Sequence, residues 1–215
     1  MKKFTAIVVS LLMAGAIFAQ TKSLDTNNGY YIYLKGTNTK LTDEEYLNYA
    51  KVVETDTYNK YINDEFEWDE QFTLLKQKFD KLISDADLSS VYTIVTSVDF
   101  GDYDFTNEGF PVSIGEGTFF SIDTFWGKWN ATKDSVFRKE IAFKLDSFNT
   151  YNFFAMPKSE AKTFLQGRKS SSGSVNRSVT LQITYKIAAF DSKEFKSFKD
   201  LALSNDYLPI VGIIE

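Results

Sequence analysis

The sequence predicts an α+β fold in which an N-terminal helical pair packs on a mainly antiparallel β-sheet. Three observations carry that expectation. Two capped segments with helical periodicity occupy the chain before Asp87. After Asp87 the pattern changes to β-branched and aromatic alternation. Helices come first and strands mostly afterwards, an order that argues against an alternating βαβ plan.

The elements follow in order. Tyr30 to Leu34 reads as a short β-like stretch closed by Gly36. Thr42 with Glu45 three residues on is a capping box, Leu41 is placed to staple against Tyr46, and Asp43, Glu44 and Glu45 suit the positive end of a helix dipole. Apolar residues then recur helically at Tyr46, Leu47, Ala50, Val53, Tyr58, Tyr61 and Ile62. Asp64, with Glu67 in the reciprocal position, starts a second helix. Its Trp68, Phe72, Leu75, Phe79, Leu82 and Ile83 form one apolar stripe, with Lys76, Lys78, Asp80 and Lys81 on the wet side. Val91 to Phe100 is a strand with Tyr92, Ile94, Val98 and Phe100 on one face. Residues 101–117 are rich in turn formers. Strands are expected at Thr118 to Phe125, Val136 to Leu145 and Tyr151 to Met156. Pro157 opens a helix to about Leu165, Gly167 to Gly173 is a polar loop, and Val175 to Phe190 holds the longest strand. A last apolar stretch begins near Pro209.

Residues 1–19 read as a cleavable secretory signal. Lys2 and Lys3 precede 15 uncharged residues from Phe4 to Phe18, and Ala19 suits a cut before Gln20. That apolar run falls short of the roughly 20 residues that span a bilayer. No Cys follows it, which excludes a lipoprotein anchor. Residues 20–215 are expected to form a single α+β domain, periplasmic or extracellular and not membrane-spanning once the signal is cut. Loss of the two signal lysines leaves 22 basic against 29 acidic side chains. That balance argues against nucleic acid as a partner.

The chain has no Cys and no His among its 215 residues. Catalytic thiolates, Ser-His or Cys-His arrangements, imidazole acid-base steps, disulfides and ordinary zinc sites are therefore excluded. Carboxylates, Lys, Tyr, Ser/Thr and oxygen-ligated metals remain. Glu65 and Asp69 lie four apart on a helix, as a glycosidase carboxylate pair could, but acidic residues at a helix N-terminus also simply complement its dipole. Asp99, Asp102, Asp104, Asn107 and Glu108 are spaced closely enough for calcium. Counted as an EF-hand from Asp102, however, they put Asn107 where Gly belongs and Ser113 where Glu belongs. A turn-forming loop is the expected reading, with no metal or cofactor. Ser159 and Lys162 match a Ser-x-x-Lys motif, and Ser174 with Asn176 a second one, but Ser174 lies only twelve positions after Lys162 and no Lys-Thr-Gly follows. These matches are taken as chance. Trp126 and Trp129 flank a Gly-Lys pair after a strand, and with Tyr103 and Asp104 they are the candidate ligand-binding residues. Exposed aromatic rings are platforms for sugars or partner side chains.

Tyr58, the run Glu65-Phe66-Glu67-Trp68, Tyr103-Asp104-Phe105, Phe110-Pro111, and Pro157 to Ala161 with Phe164 together resemble a bacterial family of exported proteins described only as a domain of unknown function. The resemblance spans about Leu41 to Tyr185 and implies no activity, cofactor or catalytic residue. The functional expectation is a non-enzymatic exported domain of the cell envelope that binds an envelope protein, glycan or peptide. The alternatives are a carboxylate-dependent polysaccharide hydrolase and an envelope scaffolding protein. N-terminal sequencing of the protein purified from its producing cells is expected to begin Gln20-Thr21-Lys22. A chain that still begins at Met1 would overturn the signal assignment.

Overall fold

The computed structural model describes residues 4–5, 22–25, 28–115, 118–123, 140–190 and 207–215. The sequence expectation first fails at Gly29–Thr37 (α1), which is a helix rather than a strand. Tyr30, Ile32 and Leu34 are buried, while Tyr31 and Tyr33 set their ring edges against Phe79 and Phe190 at 5.7 and 6.0 Å. A helix packed on several sides has no polar face, so a short apolar run carries no period that separates it from a strand. Its close packing needs Gly36, where a Cβ would lie 2.0 Å from the Phe190 ring. The helix ends as Asn38 turns left-handed (φ 51) and returns its N–H to the Leu34 and Lys35 carbonyls.

Asp43–Val53 (α2) starts with the expected capping box. The Glu45 N–H donates to Thr42 Oγ1 at 3.3 Å, and the Thr42 N–H donates to Glu45 Oε2 at 2.5 Å. The helical spacing past Val53 is real but not continuous: Thr55–Tyr61 (α3) is a separate helix, set off by Glu54 at φ −112 and ψ 40. At this joint the Thr55 hydroxyl donates to the Lys51 and Val52 carbonyls, a local bond that competes with regular helix. Glu65–Asp85 (α4) is the long striped helix. Asp64 Oδ1 caps it by accepting from the Phe66 and Glu67 N–H groups, while the Asp64 N–H goes to the Tyr61 carbonyl rather than to Glu67. Leu75 and Phe79 are its fully buried residues, and Trp68, Phe72, Leu82 and Ile83 are half-buried.

The strands are Phe4–Thr5 (β1), Val91–Asp99 (β2), Gly109–Pro111 (β3), Phe120–Asp123 (β4), Glu140–Asp146 (β5), Phe153–Ala155 (β6), Ser178–Ala189 (β7) and Tyr207–Ile214 (β8), with Lys158–Gln166 (α5) after β6. They form two sheets where one was expected. The larger has the order β2-β7-β8-β5-β4 and the smaller β1-β6-β3. Most pairs are antiparallel, led by the nine-residue ladder from Val91↔Lys186 to Asp99↔Ser178. The β5–β8 and β1–β6 pairs are parallel. β1 lies within the stretch read as a signal. Residues 136–139, the start of one expected strand, lie outside the described residues.

The main core fills the space between α1, α2 and α4 and the inner face of the larger sheet. Phe79 is fully buried, and three tyrosines from two other helices surround it. Tyr49 stacks on its face at 3.9 Å, while Tyr31 and Tyr46 meet it edge-on at 5.7 and 5.9 Å. On the sheet side, Tyr185 sits 4.4 Å from Phe143 and 5.9 Å from Tyr92. Burial raises the hydroxyl pKa values of Tyr49 and Tyr185, and burial followed by the Asp87 charge pushes Tyr92 up to about 12. A second core joins the smaller sheet to α5 through buried Phe100, Phe110, Met156 and Ala161. Among the described residues no helix is long and apolar enough to cross a membrane.

Phe79→Ala is expected to cost about 3–5 kcal/mol in urea unfolding, because it empties the centre of the helical layer. Phe66→Ala, at a ring that is 85% exposed, is expected to stay within about 0.5 kcal/mol of wild type. Equal losses at the two positions would refute the packing described here.

Candidate functional site

Of the four residues singled out for ligand contact, Trp126 and Trp129 lie outside the described residues. Tyr103 and Asp104 belong to a tight turn between β2 and β3. Asp104 and Gly109 close it by exchanging backbone bonds of 2.7 and 3.3 Å. Inside it, Asp104 Oδ1 accepts from the Thr106 and Asn107 N–H groups at 2.8 and 3.0 Å, and its Oδ2 accepts from the Asn107 side-chain amide at 2.7 Å. These bonds, the Asn107 side-chain one first, hold the Asp104 carboxyl below the usual carboxylate range. Glu108 completes the turn in the left-handed region (φ 52), and its carbonyl accepts the Met156 N–H at 3.0 Å.

The turn is anchored from beneath. The Tyr103 hydroxyl donates to the Met156 carbonyl at 2.9 Å, and its ring meets Phe110 at 5.1 Å. Gly109 passes so close to β6 that a Cβ would lie 2.4 Å from the Phe154 carbonyl oxygen. At the root of the loop, Arg177 donates to the Gly101 carbonyl and to Asp102, each at 2.5 Å. Tyr103 and Asp104 thus spend their polar groups holding the turn. What the turn presents is Phe105, 71% exposed, with the Tyr103 ring edge at 5.0 Å and the Lys158 ammonium 5.5 Å from its centroid. Sequence reasoning did not separate Phe105 as a site. The signal was present: an Asp with Asn three residues on reads as a side-chain-bonded turn, and the residue within it is apolar.

The other sequence candidates disperse. Glu65, Glu67 and Asp69 are exposed at the start of α4, and Asp102 is exposed and paired with Arg177. Asp104 and Asn107 bind each other, so Asp102 and Asp104 are spent on folding this loop. Ser159 and Lys162 are both exposed on α5. An open groove of about 790 Å³ lies against the loop after α5, lined by Arg168, Lys169, Ser170, Ser174 and their neighbours. The Arg168 guanidinium is held there by the Asn176 and Ser178 carbonyls at 3.2 and 2.6 Å, and it lies 4.7 Å over the Phe164 ring. It thereby covers the edge of the second core at Phe164.

The family described as a domain of unknown function (DUF4852) matches this chain over residues 42–167, a span that includes α2 to α4, the Tyr103 turn and α5. No curated protein and no solved structure matches the chain.

The charge on Asp104 stabilises the turn above the ordinary carboxyl pKa of about 3.9. That contribution is lost as pH falls through the lowered folded value. By NMR, the Thr106 and Asn107 amide proton shifts are expected to hold steady down to about pH 3.9 and to move only below it. Asp104→Ala is expected to show the acid-form shifts at neutral pH. Titration of these amides at or above the ordinary value would refute the assigned bonds.

Proposed function

Because the chain belongs to the DUF4852 family, whose description carries no activity, we propose from its own geometry that it is an exported, non-enzymatic binding domain of the bacterial cell envelope. The observation that carries the reading is the display of Phe105. An apolar ring 71% exposed adds little to folding, yet the turn beneath it is closed by backbone pairing, a carboxylate with three donors and a tyrosine anchor. A ring carried on so firmly braced a turn is pre-organised for contact, since little backbone freedom remains to be lost on binding. Burying it against a partner is worth about 1.5–3 kcal/mol, the scale of an interface anchor. Lys158 beside the ring favours a partner surface, protein, peptide or glycan, that carries negative charge next to an apolar recess.

The carboxylate-dependent hydrolase draws no support from the geometry. Such chemistry needs two carboxyl groups lining one cleft. Glu65, Glu67 and Asp69 instead face water at a helix end, and Asp102 and Asp104 are tied into a loop.

A photo-crosslinking phenylalanine analogue placed at position 105 in the producing cells is expected to give a discrete envelope adduct, and the same analogue at position 66 none. Excess wild-type protein should compete the adduct away, while excess Phe105→Ala should not. No adduct at position 105, or identical adducts at both positions, would overturn the proposal.

A further inference from the structure

A second concavity lies apart from the Tyr103 turn, where the C-terminal end of α4 meets α1 and the start of β2. It is an open cleft of about 320 Å³, room for about ten water molecules at liquid density. Its walls are the Tyr31 ring, Ile32, Leu82 and Ala86.

The polar groups around it decide what can enter. Lys22 Nζ donates to Asp87 Oδ2 at 2.6 Å, and the same carboxylate accepts from the N–H and hydroxyl groups of both Ser89 and Ser90. The Tyr92 hydroxyl donates to the Asp87 carbonyl. Asn28 gives its amide to the Ser23 carbonyl and accepts the Asp25 N–H. Asp85 is paired with Lys81 at 2.8 Å, and the Tyr31 hydroxyl is bonded to Tyr49. The carbonyls of Ser84 and Ala86 at the α4 terminus accept from Lys35 Nζ, which also answers the negative end of the helix dipole. Every polar side chain lining the cleft thus has a partner within the chain. The lysines Lys22 and Lys35 balance its two aspartates and the helix end together with Lys81.

We propose that this cleft is a binding site for a small, uncharged, largely aromatic or aliphatic molecule. A charged ligand would give up hydration against these apolar walls while the cleft's own charges are already paired, a cost that an uncharged one avoids. An apolar ligand instead replaces water against Tyr31, Leu82 and Ala86, with Ile32 beneath them, which is the favourable direction of transfer. Recognition here is by size and apolarity. The site is separate from the Phe105 turn and does not depend on its role.

The test uses three probes of one shape and different charge: p-cresol, benzoate and benzylamine, followed by ligand-observed NMR on the full chain. Saturation transfer is expected to p-cresol alone, with intermolecular NOEs from its ring to the Ile32 and Leu82 methyl groups. Leu82→Trp, which fills the cleft, is expected to weaken p-cresol by about tenfold or more. Binding of benzoate or benzylamine as tight as that of p-cresol would overturn the proposal. So would an absence of NOEs to Ile32 and Leu82 in the wild-type protein, whatever the folding of the variant.

Discussion

The ring of Phe79 is where the helical layer becomes one body. It takes Tyr49 on its face and Tyr31 and Tyr46 on its edges, so α1, α2 and α4 all close on a single side chain. Aromatic pairs of these geometries add to the area they bury, and a fully enclosed ring loses them together when it is removed. The polar ends of those tyrosines are then committed by the same packing: Tyr46 to Asp80 on α4, Tyr31 to Tyr49. The same closure sets α1 against the sheet, where Tyr30, Ile32 and Leu34 are buried in the main core.

The span that matches the family stops at Gly167, but the physical unit does not. Among the described residues, β2 finds its sheet partner in β7, and β5 is paired in parallel with β8; both partners lie beyond the matched span. α1 lies before it. What lies mostly inside the span is the second core, where Phe100, Phe110 and Met156 meet Ala161 and Phe164 of α5, with Val179, Arg168 and Arg177 packed on it from beyond. That core supports the Tyr103 turn, and the braced turn supports Phe105. The neighbouring Tyr-Asp-Phe and Phe-Pro runs and the distant Pro157 helix are the three sides of this one assembly. The remaining run, Glu65 to Trp68, joins Tyr58 instead, where the Trp68 ring meets the Tyr58 edge at 5.5 Å and locks α3 to α4.

Much of the fold was legible because its signals are local. A capping box needs only Thr42 and Glu45, a striped helix only its own spacing, and an alternating strand only its own pleat. The failures were of a different kind. Tyr30 to Leu34 looks like a strand because helix and strand agree on a short run buried on several sides. Gly109 to Pro111 passed for turn, since a three-residue strand beside Pro is defined by its partner, Phe153 to Ala155, and not by its own residues. The same limit governed the site. Tyr103 and Asp104 could be picked out as a polar aromatic pair, but whether their groups face a ligand or the turn itself depends on Met156 and Asn107.

Sequence alone determined the chemistry that is excluded, the starts of α2, α4 and α5, the strand-rich second half and the α+β class, because each follows from residue type and spacing within a few positions. Tertiary structure decided that α1 is a helix, that the strands divide into two sheets with parallel pairs among them, and that Tyr103 and Asp104 turn their polar groups to holding the loop while Phe105 stands exposed. Those outcomes turn on which distant groups come within contact and hydrogen-bonding distance, a property of the closed chain that no local pattern encodes.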